Sequence, residues 1–139
     1  MTARGKARKR ALDILYAAEL RGVSPLIVLG ERPLAEGSAQ SQPKPNPYVG
    51  TMVEGVVAHQ SRIDELLSTY SSGWALDRMP AVDRNILRIG VFELLWCDDV
   101  PDAVVIDEAV NLAREISTDE SPAFVNGVLD RVARELGVL

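Results

Sequence analysis

The chain has 139 residues, 47% hydrophobic and 25% charged, a length and balance that suit one globular domain whose core needs neither a disulfide nor a metal staple. Cys97 is the only cysteine, which excludes an intrachain disulfide and a cysteine-based zinc site. The net charge of -5 divides unevenly: residues 1–10 carry +5 with no acid among them, and residues 11–139 carry -10.

Helical periodicity runs through nearly every segment and no stretch alternates with period two, so the fold class is all-α, with about seven helices. The first helix is expected from Ala3 to Arg21, with Ala7, Ala11, Ile14, Leu15 and Ala18 as its apolar stripe and Gly22 to end it. Ser24-Pro25 reads as an N-cap and first helical proline, opening a short helix through about Ala35. The segment "EGSAQSQPKPNP" that follows is the one clear linker. Met52, Val53, Val56, Val57, Ile63, Leu66, Leu67 and Tyr70 then define one long helix from Tyr48 to about Ser72-Gly73. The next helix, about Pro80 to Trp96, is apolar around most of its circumference and is expected at the centre. A helix after Val100-Pro101-Asp102 buries Val105, Ala109, Leu112, Ala113 and Ile116. The last, with Ser121 as N-cap and Pro122 behind it, buries Val125, Val128, Leu129, Val132 and Leu136.

Catalytic signatures are missing from the sequence: it has no Gly-rich phosphate loop, no paired His at metal spacing and no nucleophile elbow. His59 reads as an exposed surface histidine and Cys97 as a small apolar residue at a helix end. Asp107-Glu108 makes a poor metal pair, because adjacent helical residues point about 100° apart. No apolar run follows the basic start as a secretory signal requires, and no stretch reaches the roughly 18 apolar residues of a membrane span, so a cytoplasmic protein is expected, with no membrane contact.

The basic start, "RGKARKRALDILY", is the strongest local signal. Lys9 and Tyr16 return to nearly the same helix face, which suits a phosphate held by the cation and a base stacked on the ring. Two readings stay open for Tyr16, an RNA-stacking ring or a partly buried core residue beside Leu12. Residues 4–10 are likewise an RNA arm or a solvated tail. Phe124, in the first turn of the last helix, is a core residue or a ring beside an anion-binding helix start.

Residues 81–95, "AVDRNILRIGVFELL", and 100–130, "VPDAVVIDEAVNLAREISTDESPAFVNGVLD", together with the opening "ARKRALDILYAAEL", closely resemble the NusB family of bacterial transcription antitermination and termination factors. The resemblance covers most of the chain apart from the Pro-rich loop. It implies a single NusB-like domain over 1–139, in which 1–36 and 48–72 form an N-terminal helical subdomain joined by loop 37–47, and 74–139 form a C-terminal one packed against it. It implies no catalysis and no cofactor. The partners it implies are the boxA element of ribosomal RNA leader transcripts, the small-subunit ribosomal protein NusE, and the RNA polymerase antitermination complex with other Nus factors. Relatives occur as monomers and as homodimers.

Carried onto this chain, the resemblance implies phosphate contacts from Arg4, Lys6, Arg8, Lys9 and Arg10, and rings from Tyr16 and Phe124. It implies NusE contacts at Asp77 and Asp83, since a ribosomal protein is basic, and an RNA-moderating acid at Glu120. Two departures stand out: Ser121-Pro122-Ala123 lacks the basic residue many relatives carry before the Phe of "FVNG", and Asp107 stands where Asn is common. The alternatives are a NusE-binding adaptor with little RNA affinity of its own, or the detached RNA-binding domain of a ribosomal RNA methyltransferase.

Overall fold

A computed structural model describes residues 2–31, 46–71 and 73–136. Helix α1, Ala3–Arg21, starts where Thr2 accepts a hydrogen bond from the Gly5 amide and stops at Gly22, whose φ of 67° is the left-handed value that glycine adopts without strain. The short α2, Pro25–Gly30, is capped by Ser24, as the Ser-Pro pair predicts, but ends before Ala35; residues 32–45, with most of loop 37–47, lie outside the described residues.

The single long helix expected from Tyr48 is two. Helix α3, Pro47–Ala58, begins at Asn46, and α4, Gln60–Tyr70, follows a break at His59, where φ is -112° and ψ 15°. Hydrogen bonds from the His59 amide to Gly55 and from the Ile63 amide to the His59 carbonyl bridge the break. The apolar period therefore passes through it unchanged, which is why the pattern did not reveal it. His59 is not an exposed histidine either: it is half-buried, its ring stacked on Trp96 at 4.0 Å between centroids and 11° between planes. A single 3₁₀ turn, Leu76–Arg78, leads to α5, Ala81–Trp96, then α6, Asp102–Ile116, and α7, Ser121–Glu135. No strand occurs among the described residues.

Helix α5 packs against α1, α3, α4, α6 and α7, and one continuous core joins the two halves of the chain. Two close approaches fix its seat. A Cβ on Gly55 of α3 would lie 2.1 Å from Cε1 of Phe92, and one on Gly90 of α5 would lie 2.7 Å from Cδ1 of Leu129. Cys97, at the end of α5, is buried as expected, and burial pushes its thiol pKa up.

Candidate nucleic-acid interface

The basic start is neither a tail nor a uniform arm: it is the first two turns of α1, docked on the rest of the fold and divided by what each cation touches. Lys6 and Arg10 are exposed and make no ion pair among the described residues. Arg4 reaches Asp99, in the turn between α5 and α6, at 2.7 Å, and its guanidinium lies 4.6 Å from the centre of the Tyr48 ring. Lys9 reaches Glu115, in the last turn of α6, at 3.0 Å.

Arg8, expected at the phosphates, is buried instead. Its residue surface is 3% exposed, and it donates Nε to Glu93 Oε1 at 2.8 Å and Nη2 to Glu93 Oε2 at 2.9 Å. Tyr48 donates its hydroxyl to the same carboxylate at 2.6 Å, and burial, reinforced by that hydrogen bond, pushes the phenol pKa well above its ordinary value. A guanidinium so enclosed cannot meet RNA. The sequence did contain a signal for this, because Arg8 stands three, four and seven residues before Ala11, Leu12 and Leu15, on the apolar stripe itself.

Asp83, expected at a protein partner, is also buried, at 0% exposure. Its carboxylate accepts hydrogen bonds from the hydroxyls of Ser117 and Ser121. Ser121 in turn accepts from the Thr118 amide at 3.3 Å and pairs with the Thr118 hydroxyl at 2.8 Å. Ser121 is therefore not the N-cap of α7, because Asp83 holds its hydroxyl and Glu120 takes the cap position without a side-chain bond. The result is a fixed corner between α6 and α7.

Lys9 ties α1 to the end of α6, while Glu19 pairs with Arg84, the neighbour of Asp83, and with Arg88. Arg84 and Arg88 together hold the Glu19 carboxyl below its ordinary pKa. Tyr16, half-buried, lies on α1 between these two ties, and exposed Glu120 and half-buried Phe124 lie on the corner. Phe124 presents its ring edge-on to Trp74, at 4.9 Å and 68°. Lys9 and Tyr16 thus lie on α1, Glu120 and Phe124 at the N-terminal end of α7, and the Lys9–Glu115 pair joins α1 to the end of α6. Asp77 is exposed on the 3₁₀ turn, next to Leu76, whose carbonyl accepts from Arg84, at the rim of a groove of about 580 Å³ lined also by Ser68, Leu76, Arg84 and Arg88.

Among the described residues no group of His, Cys, Asp and Glu is placed to hold a metal ion, and no helix is long and apolar enough to cross a membrane. The NusB family profile matches residues 5–134. A transcription antitermination protein NusB from Nocardioides sp. is 60% identical over 134 residues, covering 96% of each chain. Among solved structures, a NusB from T. maritima superposes with a TM-score of 0.83 at 34% identity, over 97% of this chain and 93% of that one. A complex of the antitermination factors NusB and NusE with double-stranded RNA contains a chain matching at a TM-score of 0.76 and 29% identity, over 97% of this chain and 98% of that one. The chain belongs to the NusB family.

Proposed function

We propose that this protein is a transcription antitermination factor that binds the boxA RNA of ribosomal RNA leader transcripts together with NusE, and so promotes processive ribosomal RNA transcription. The observation that carries the reading is the face of α1 on which exposed Lys6 and Arg10, with Lys9, lead along the helix to half-buried Tyr16; Phe124, in the first turn of α7, is taken as the second ring. Cations for phosphates beside rings for bases are what a single strand requires. The solved complex of NusB and NusE with double-stranded RNA supports NusE and RNA as the classes of partner. Arg4 belongs to the phosphate set at its far end, and Arg8 does not. Glu120 moderates affinity by placing negative charge beside the bound phosphates. Asp77 is the remaining acidic contact for NusE, with Asp83 withdrawn into the core. The protein would then act inside the RNA polymerase antitermination complex with other Nus factors, in the cytoplasm, as a binding protein and not as an enzyme.

An anisotropy titration of labelled boxA RNA with and without NusE, at several salt concentrations, tests this. If Arg4, Lys6, Lys9 and Arg10 each engage one phosphate, the log-log salt slope is about -3, and replacing all four with Ala flattens it. A second reading, a NusE-binding adaptor with little RNA affinity, draws on the internal pairing of Arg4 and Lys9 and on the neutral Ser121-Pro122-Ala123 turn. Absence of RNA binding even with NusE bound would select it. Two relatives of 60% and 58% identity, both named antitermination proteins, favour the first reading over the methyltransferase-domain alternative.

A further inference from the structure

The five cations of the arm fall into three grades of availability. Arg8 and Glu93 are closed to solvent, with side chains 4% and 1% exposed. Lys6 and Arg10 are open and unpaired among the described residues. Arg4 and Lys9 are intermediate: both pairs reach solvent, at 44% and 66% for Arg4 and Asp99 and at 40% and 46% for Lys9 and Glu115, yet each cation already holds an acid within 3.0 Å. Exposed pairs of this kind are weak, so a phosphate can displace the carboxylate. The exchange leaves that carboxylate beside the incoming phosphate, which opposes binding.

Resting on the RNA reading above, we infer that Asp99 and Glu115 are built-in competitors of RNA phosphate for Arg4 and Lys9, and that they set the affinity of the arm. Neither acid lies in α1. Asp99 is supplied by the turn after α5 and Glu115 by the end of α6, so the competition exists only when the chain is folded. A phosphate must outbid an acid at Arg4 and Lys9 but not at Lys6 and Arg10. Sequence-independent contacts alone are therefore held weak, and RNA that also stacks on Tyr16 and Phe124 is favoured.

A double-mutant cycle tests the role, using fluorescein-labelled boxA RNA with NusE present and thermal unfolding to verify each fold. Glu115→Gln should tighten binding about two- to fivefold, the worth of one exposed pair. Lys9→Ala should cost more in the Glu115→Gln background than in the parent chain, by a similar factor. Asp99→Asn with Arg4→Ala forms an independent second cycle. If Lys9→Ala and Arg4→Ala cost the same in both backgrounds, the acids repel RNA only in a general way and the competitor role is overturned. It is overturned too if the acid variants bind no tighter. A parent chain that fails to bind RNA with NusE present would instead sink the RNA reading itself, and this inference with it.

Discussion

Arg8 and Glu93 lock together through two parallel hydrogen bonds of 2.8 and 2.9 Å, 85 residues apart in sequence and almost wholly removed from water. Paired, forked geometry of this kind is what lets two charges remain in a core. Removing one partner strands the other charge, so Arg8→Ala or Glu93→Ala should destabilise the fold by about 3–5 kcal/mol. Urea unfolding measures it. The double replacement Arg8→Met with Glu93→Leu should recover part of the loss, short of the cost of taking the carboxylate from the Tyr48 hydroxyl, and a double variant no better than either single one would contradict this account.

The Gly55 seat gives a second expectation. Gly55→Ala places a methyl 2.1 Å from the Phe92 ring, too close without a shift of α3 or of the ring. Overpacking typically costs about 1–3 kcal/mol, against a helix-propensity gain of up to about 1 kcal/mol for alanine. The net change should be a lower thermal midpoint. Phe92→Leu in the same chain should restore part of it by opening the space.

Acid stability follows from Glu19. Hydrogen bonds from Arg84, with Arg88 behind them, lower its folded pKa below the ordinary 4.5, although partial burial opposes them. Stabilisation from this pair is complete above the unfolded value and is lost as pH falls from 4.5 through the folded value. With the Glu19 side chain 31% exposed, solvent screening keeps the effect within a modest fraction of the total stability. Unfolding measured from pH 7 to pH 3 should fall less steeply for Glu19→Gln than for the parent chain. An equal slope would assign the acid sensitivity to other carboxylates.

The α6–α7 corner links core and surface. Ser121→Ala removes one of two hydroxyl donors to the buried Asp83 carboxylate, a loss of about 1.5–3 kcal/mol for a hydrogen bond to a charged group. On the proposed function, in which Glu120 and Phe124 on either side of Ser121 face RNA and Asp77 meets NusE, the same change should weaken RNA binding more than NusE binding. Glu120→Asn should act in the opposite direction and tighten RNA binding, without altering the unfolding midpoint by more than surface substitutions usually do. Paired RNA and NusE titrations on both variants decide it.

Periodicity and caps were enough to locate α1, its stop at Gly22, the Ser24-Pro25 start of α2 and the central position of α5, because each depends on local torsion or on one apolar stripe. The break at His59 was hidden because its hydrogen bonds keep the helical phase. At the site, the basic character of α1 was legible, but the fate of each cation was not. Glu93, Asp99 and Glu115 are brought to Arg8, Arg4 and Lys9 only by the packing of α5 and α6 on α1. Arg8 and Asp83 share one overlooked signal. Each begins an i, i+3, i+4, i+7 apolar run, Ala11, Leu12 and Leu15 for the first and Ile86, Leu87 and Gly90 for the second. A charge on such a stripe points inward and needs a partner there.

The 85-residue separation of Arg8 from Glu93 also has a meaning in time. Translation at about 5–20 residues per second brings Glu93 out of the ribosome some 4–17 s after Arg8, with Asp99 and Glu115 later still. During that interval the nascent arm carries its whole positive charge unneutralised, next to a particle built largely of RNA. On the proposed function, discrimination among polyanions is thus acquired late in synthesis, when α5, the turn after it and α6 bring their acids to the first helix and withdraw part of its charge.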